Sequence, residues 1–159
     1  AEELDFVVGG MQWQPLSEIV SIIPKYGFNC VRLLWSLELL DSNPTINNAT
    51  LLAKEPSFIG KSAMYIFDQT VKSLTDQNIM VILDNHVSDS GWCCSATDGN
   101  GLWYTDNYPA STWMSLWQKM VQRYTDNKYV IAVDLRNELR KTTVNGKTLS
   151  PEYDHILSA

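Results

Sequence analysis

Short, nearly continuous apolar runs alternate along the chain with longer stretches in which apolar residues recur at helical spacing. The apolar runs predict strands at residues 6–10, 29–34, 79–83 and 129–135. The periodic stretches predict helices at residues 16–26, about 64–74, about 110–124, and from 150 onwards. A long polar loop without a predicted element joins the second strand to the second helix, up to about Gly60. Strands that are apolar on both faces and separated by helices form parallel sheets, so the pattern predicts an α/β fold.

Polar side chains occupy the ends of these predicted strands. Arg32 lies within the second strand, His86 follows the third, and Asn137 and Glu138 follow the fourth. Parallel α/β sheets bind their ligands outside the carboxyl ends of the strands. We therefore expect these side chains to line a binding site.

Glu138 is the candidate catalytic residue of this site. Glycoside cleavage uses one carboxylic acid to protonate the leaving oxygen and a second carboxylate to attack or to activate water. A glutamate directly after an apolar strand lies at the mouth of the sheet, where neighbouring groups adjust its pKa. The spacing fits equally well an ion pair between Glu138 and Arg136 or Arg140 that only closes the rim.

The composition narrows the classes of partner. The formal net charge is −6 and the sequence has no cluster of Lys or Arg, which argues against a nucleic-acid partner. No apolar run approaches the ~18 residues that span a bilayer, so no membrane partner is predicted. Six tryptophans are present, and flat amphipathic rings stack on the apolar faces of sugars. The candidate sugar-binding rings are Trp35, Trp92 and Trp103, although each ring is equally compatible with a core position.

Three cysteines leave an odd thiol. Cys93 and Cys94 are adjacent, with Cα atoms ~3.8 Å apart across a trans peptide, whereas a relaxed disulfide has Cα atoms ~4.4–6.8 Å apart. Either of them could pair with Cys30 or with a cysteine outside this chain. Asn48 opens the only glycosylation sequon, Asn48-Ala49-Thr50. The cysteines and the sequon together favour a secreted protein.

A metal site is the weaker interpretation of the same region. The candidate ligands are His86, Cys93 and Cys94, with Asp84 or Asp89. The spacing between His86 and Cys93 fits no standard zinc pattern, and adjacent cysteines are awkward as paired ligands. We therefore predict no metal and no cofactor.

Three segments of the chain resemble glycoside hydrolase family 5, the cellulase-type family: residues 27–33, 81–86 and 133–138. They occur in the family's order and at its strand spacing. The stretches 91–101 and 136–140 look closest to the branch with plant and fungal cellulase-like members. The resemblance implies a (β/α)8 TIM barrel, of which this chain supplies about the first four β/α units. It also implies a retaining, endo-β-1,4-glucanase-like hydrolase whose partner is a β-linked oligo- or polysaccharide.

The resemblance further implies roles for single residues. Glu138 matches the family's acid/base, and Asn137 matches the asparagine that hydrogen-bonds the sugar 2-hydroxyl beside the scissile bond. Arg32 matches the arginine that supports the nucleophile and keeps it ionised, and His86 matches a histidine near the bound sugar. Leu139 stands where the family often has proline, which affects the shape of the loop more than the chemistry.

The family's nucleophile is a glutamate at the end of the seventh strand, beyond the four units predicted for this chain. We expect residues 1–159 to be the N-terminal half of a single barrel domain, because a complete barrel has about 250 residues. The other half is expected as a second chain, a missing segment or the second copy in a homodimer, and this chain alone is expected to be inactive. The alternative is a catalytically inactive, truncated carbohydrate-binding or effector-like protein.

Overall fold

The structure is a computed structural model that describes residues 3–4, 6–91, 93–95, 98–144 and 147–151. Its helices are α1 (Leu16–Lys25), α2 (Leu37–Ser42), α3 (Ala63–Asp76) and α4 (Ala110–Arg123), with a 3-10 turn at Pro56–Phe58. Its strands are β1 (Glu3–Leu4), β2 (Val7–Val8), β3 (Cys30–Ser36), β4 (Thr45–Ile46), β5 (Lys61–Ser62), β6 (Met80–Val87), β7 (Val130–Asp134), β8 (Thr142–Val144) and β9 (Lys147–Leu149). No helix in these ranges is long and apolar enough to cross a membrane.

The central sheet is parallel and has the strand order β3-β6-β7. Each neighbouring pair is connected through helices, α2 and α3 for the first crossover and α4 for the second. A parallel sheet whose order follows the chain, with helical crossovers, is the arrangement of part of a β/α barrel. The predicted α/β fold and its second, third and fourth strands are confirmed, with boundaries shifted by a few residues.

Helix α3 covers the sheet with the apolar stripe that its sequence spacing predicts. In α3, Ser62 caps the first turn by accepting a hydrogen bond from the Tyr65 amide, 3.3 Å away. The stripe Met64, Phe67, Val71 and Leu74 is buried in the core. Burial of such a stripe, rather than intrinsic propensity, stabilises most helices of this length.

The two faces of the sheet have different surroundings because successive side chains of a strand point to opposite sides. Leu33, Val81 and Leu83 point towards the helices and are buried. Trp35 is on the same face, is fully buried, and packs edge-to-face on Trp117 with ring centroids 4.9 Å apart. Trp35 is therefore a core residue here, which corrects its prediction as a sugar-stacking ring.

The first predicted strand is wrong in extent and in partner. Only Val7–Val8 is a strand, and it pairs antiparallel with Glu3–Leu4 instead of joining the parallel sheet. The backbone turns on either side of this short strand, because Phe6 and Gly10 have φ values of 65° and 118°.

The polar loop before Gly60 contains elements that the sequence pattern does not predict. Helix α2 has only six residues, too few for a visible period. Ser36 caps it, because its hydroxyl accepts a hydrogen bond from the Leu39 amide at 3.0 Å. The hairpins β4–β5 and β8–β9 are likewise too short to be predicted. The helix predicted from residue 150 lies outside the described residues from 152 onwards.

Strand β7 is the last strand of the sheet, and its apolar side chains are exposed. Ile131 and Val133 are 51% and 42% exposed, and Leu135, directly after the strand, is 55% exposed. Leu83, the register partner of Val133 in β6, is 1% exposed because its strand has neighbours on both sides. The sheet therefore ends in an apolar edge that would be covered by another strand and helix in a closed barrel.

Candidate active site

The guanidinium group of Arg32 links the three strands of the sheet. Its Nη1 lies 2.9 Å from Oδ2 of Asp84, and its Nε and Nη2 lie 2.9 and 2.8 Å from Oδ2 of Asp134. Nη2 also donates to Oδ1 of Asn137 at 2.8 Å. Asp84 is on β6 and Asp134 on β7, level with each other in the register. Planar, charge-assisted contacts of this kind fix direction as well as distance.

Asp84 also orients His86, two residues further along the same strand and on the same face. The carboxylate is fully buried, and Nδ1 of His86 lies 2.8 Å from its Oδ2. Since that oxygen also accepts from Arg32, it acts as an acceptor and His86 carries its proton on Nδ1. The Nε2 atom of His86 is then the ring atom available to a ligand.

Asn137 is held on both its backbone and its side chain. Its amide donates to the carbonyl oxygen of Asn85 at 3.1 Å, and its Oδ1 accepts from Arg32. Its Nδ2 lies 3.6 and 3.7 Å from the sulfur atoms of Cys93 and Cys94. Because Arg32 donates to Oδ1, the orientation of the side-chain amide is fixed, and its Nδ2 donor is directed towards the side where Cys93 and Cys94 lie.

Glu138 is exposed and follows Asn137 at the carboxyl end of β7. Its φ of 43° lies in the left-handed region, which a residue other than glycine adopts only where the surroundings enforce it. Its carboxylate lies near the sulfur atoms of Cys93 and Cys94, with the three ligand-type atoms within 4.8 Å of one another. A candidate proton donor is thus placed at the open mouth of the sheet.

The rim ion pair that the sequence left open is not formed among the described residues. Arg140 pairs with Asp98 through contacts of 2.6 and 2.7 Å, and it meets Glu138 only at the backbone oxygen, 3.3 Å away. Arg136 donates to the backbone oxygens of Leu102 and Asn100 at 3.0 and 2.5 Å. Both guanidinium groups are therefore directed to the loop that precedes α4.

Arg136 is 8% exposed, an unusual degree of burial for a cation. Burial, and next the positive charge of Arg140, lower the pKa of Arg136 to about 10. The side chain is still charged at neutral pH. The hydrogen bonds to the two carbonyl oxygens offset part of the cost of burying this charge. From the sequence, Arg136 was considered only as an ion-pair partner of Glu138. The one sequence signal for its contact with the loop was that Arg136 lies next to Asn137 and Glu138.

An open groove of about 830 Å3 runs along β7 beside these residues. Its lining includes Arg32, Ile82 and Asp134 from the sheet, and Trp103 and Trp113 from the region of α4. The Trp103 ring is half-buried and packs on Trp113 with centroids 4.9 Å apart. Trp113 was not predicted as a site residue because its helical spacing marks it as core. Trp92 lies outside the described residues.

Cys30 is a free cysteine at the start of β3, the end opposite the site. The seven residues of β3 span about 20 Å, whereas Cys93 and Cys94 lie at Asn137. The predicted alternative of a disulfide from Cys30 to either of them is therefore wrong. Cys93 and Cys94 are adjacent in the chain, and this spacing is too short for a relaxed disulfide between them.

Asn48 is exposed, as its sequon requires. Its Oδ1 accepts from the backbone amides of Thr50 and Leu51 at 3.1 and 3.2 Å. These contacts form a polar turn at the surface.

The chain matches the family "Cellulase (glycosyl hydrolase family 5)" over residues 7–158. It belongs to glycoside hydrolase family 5. It is 31% identical to a glycosyl hydrolase 5 family protein of Chamaecyparis obtusa, over 82% of this chain and 26% of that protein. It is also 31% identical to an endoglucanase of Paenibacillus polymyxa, over 86% of this chain and 33% of that enzyme.

The fold agrees with this family membership. An endocellulase from Pyrococcus horikoshii, solved in complex with cellotetraose, aligns with a TM-score of 0.73 and 25% identity. The alignment covers 94% of this chain and 36% of the endocellulase. The chain therefore has the fold of part of a (β/α)8 barrel, and it spans about a third or less of the length of these relatives.

Proposed function

We propose that the intact protein is a retaining hydrolase that cleaves β-1,4-linked glucan internally, and that this chain contributes the acid/base half of its active site. The observation that carries the proposal is the placement of Glu138. It follows β7, and the preceding residue, Asn137, is fixed by the guanidinium group of Arg32. In this role the Glu138 carboxyl group protonates the leaving oxygen and its carboxylate then deprotonates the attacking water.

The neighbouring side chains bind and orient the sugar next to the scissile bond. The Nδ2 group of Asn137 donates to the sugar 2-hydroxyl, because its Oδ1 is already used by Arg32. His86 approaches the sugar with Nε2, since Nδ1 is held by Asp84. Trp103 and Trp92 supply ring faces, and Trp113 supports Trp103 from behind.

The nucleophile belongs to the other half of one barrel domain, of which residues 1–159 are the N-terminal half. Arg32 lines the groove with its side chain 38% exposed. In this proposal its positive charge holds that nucleophile ionised. The exposed apolar edge of β7 supports such a half, because a closing strand and helix would cover it. The missing half is a segment of the same protein, a separate chain or a second copy, and the chain without it is inactive.

The same proposal includes secretion. Asn48, exposed in a polar turn, is a glycosylation acceptor in a secreted protein. Cys93 or Cys94 pairs with a cysteine of the other half, since Cys30 is out of reach. Mass analysis of the native protein before and after reduction and deglycosylation measures both modifications.

The test compares hydrolysis with binding in the intact protein. Release of reducing sugar from β-1,4-glucan is expected, and it should fall by roughly 100- to 10,000-fold in Glu138→Gln, which removes the proton donor. Glu18→Gln, an exposed glutamate on α1, is the matched control and should keep full activity. Binding of cellotetraose without hydrolysis, unaffected by Glu138→Gln, would instead identify a non-catalytic carbohydrate-binding protein. Robust turnover by residues 1–159 alone would refute the two-half arrangement.

A further inference from the structure

Glu138 lies in the middle of a segment that is fastened to a neighbouring loop on both sides. The loop consists of residues 98–102 and is called the brace loop below. Before Glu138, the Arg136 side chain donates to the brace loop at the oxygens of Asn100 and Leu102. After it, the amide of Arg140 donates to the oxygen of Gly101 at 2.8 Å, and the Arg140 side chain holds Asp98.

We propose that the brace loop sets the direction of the Glu138 carboxyl group, and that Arg136 is a positioning residue for the general acid. This inference rests on the proposed function, since it assigns how the acid of that same site is held. The Arg136 side chain donates to backbone oxygens of the loop. Its position therefore depends on the backbone conformation of the loop and not on the loop's side chains. The guanidinium donates to the two carbonyl oxygens from two nitrogen atoms held in one plane, whereas a lysine offers a single nitrogen on a flexible stem.

The brace loop is itself anchored to the sheet. Asn100 is 8% exposed, and its Oδ1 accepts from the amides of Ser88 and Asp89 at 3.0 and 3.3 Å. Ser88 directly follows β6. The loop therefore transmits the position of the β6 end to the β7 end through Arg136, independently of the hydrogen bonds between the strands.

Gly101 marks the closest approach of the two segments. A Cβ atom at this position would lie 2.6 Å from the oxygen of Arg140 and 2.6 Å from Cβ of Thr142. Both distances are far below van der Waals contact, and one of them involves backbone, so the segments would have to separate. The backbone of Gly101 therefore packs directly against residues 140–142, and a side chain at position 101 does not fit between the two segments.

The conformation of Glu138 explains why it requires such support. A φ of 43° at a non-glycine residue is costly and persists only when its surroundings hold it. Hydrogen bonds that Arg136 and Arg140 donate to the brace loop hold the chain on either side of Glu138. Releasing either side allows Glu138 to relax, and the carboxyl group then moves from the leaving oxygen.

The experiment uses the intact protein and two substrates that differ in their need for an acid. The phenolate of phenyl β-cellobioside is a basic leaving group that must be protonated. The dinitrophenolate of 2,4-dinitrophenyl β-cellobioside is weakly basic and leaves without protonation. In Arg136→Lys we expect kcat/KM to fall by up to about 100-fold for the phenyl substrate, the cost of a misplaced group. For the dinitrophenyl substrate kcat/KM should be unchanged within error. Gly101→Ala should show the same pattern.

Arg123→Lys is the matched control, because Arg123 also uses its guanidinium on a fixed partner, Asp68, but in the helix layer. It should leave both substrates unaffected. An equal loss on both substrates in Arg136→Lys, or no loss, would overturn the positioning role.

Glu138→Gln separates the positioning role of Arg136 from the proposed function of Glu138. If Glu138→Gln shows the leaving-group pattern and Arg136→Lys does not, only the positioning role is wrong. If Glu138→Gln lacks the pattern, the proposed function fails and the positioning role fails with it.

Discussion

Arg32 and Asn137 are separated by a whole strand of the sheet, yet the Arg32 guanidinium donates to Oδ1 of Asn137 across 2.8 Å. Arg32 lies on β3 and Asn137 just after β7, with β6 between them. Asp84 and Asp134 accept from the same guanidinium group and hold it in place. The residue next to Glu138 is therefore positioned from across the sheet, and this relationship leads to the first prediction.

Arg32→Lys should reduce kcat/KM of the intact protein on cellotetraose by roughly 10- to 100-fold, because hydrogen bonds to charged groups contribute about 1.5–3 kcal/mol each. The guanidinium contacts Asp84, Asp134 and Asn137 from three nitrogen atoms held in one plane, whereas a lysine offers a single nitrogen on a flexible stem. Arg123→Lys serves as the control, since Arg123 pairs with Asp68 between helices α4 and α3. Equal kinetics for the two variants would show that the guanidinium of Arg32 has no part in the site.

Asp84→Asn should destabilise the protein by about 1.5–3 kcal/mol, because a fully buried carboxylate accepts from both Arg32 and His86. The comparison is Asp76→Asn, an exposed residue paired with Lys72 one helical turn away. That change should cost less than about 0.5 kcal/mol, as surface pairs do. Urea denaturation measures both values, and a difference near zero between them would contradict the structural role of Asp84.

Replacing the exposed apolar residues of β7 with lysine should reduce self-association of the isolated chain. Residues 1–159 alone are expected to self-associate through β7, and Ile131→Lys with Val133→Lys should shift the chain towards the 18.0 kDa monomer. Tyr26→Lys, which alters an exposed ring away from β7, should not. Size-exclusion chromatography with light scattering measures the mass. A wild-type chain that is monodisperse and monomeric would refute the role of this edge.

Tyr108 should make the folded state sensitive to alkali. Burial, and next the negative charges of Glu38, Asp41 and Asp89, raise the pKa of Tyr108 from 10.0 to about 12. The folded state thus favours the neutral phenol, so this contribution is present below pH 10 and is lost as the pH rises towards 12. The free energy of unfolding should fall over this window in the wild type and fall less steeply in Tyr108→Phe. Burial raises the pKa of Tyr124 as well, so part of the slope should remain. Identical slopes would contradict the assignment to Tyr108.

The parallel sheet was predictable because buried strands and amphipathic helices leave strong periodic signals over many residues. Helix α2 left none, because six residues stabilised by the Ser36 cap and by burial of Leu37 and Leu39 depend on the folded surroundings. The same holds for Val7–Val8, whose apolar character fits a sheet strand while the adjacent turns direct it into a hairpin.

The positions of the site residues followed from the rule that ligands bind at the carboxyl ends of parallel strands. The structure brings them into one network, in which Arg32 contacts Asn137 and Asp84 connects Arg32 to His86. Contacts between segments that are distant in the chain could not be predicted from the sequence. Arg136 meets carbonyl groups 34 and 36 residues away. The opposite location of Cys30 and the burial of Trp35 likewise depend on which end and which face of β3 each residue occupies.

The central claim, that Glu138 is the acid/base of a retaining hydrolase, is tested most directly by azide rescue of Glu138→Ala in the intact protein. Azide attacks the glycosyl-enzyme intermediate without needing a general base, so it replaces the second function of the missing carboxylate. With 2,4-dinitrophenyl β-cellobioside, azide should raise kcat and yield cellobiosyl azide of retained β configuration. If azide changes neither the rate nor the product, or if Glu138→Ala is as active as the wild type on β-1,4-glucan, Glu138 is not the acid/base residue.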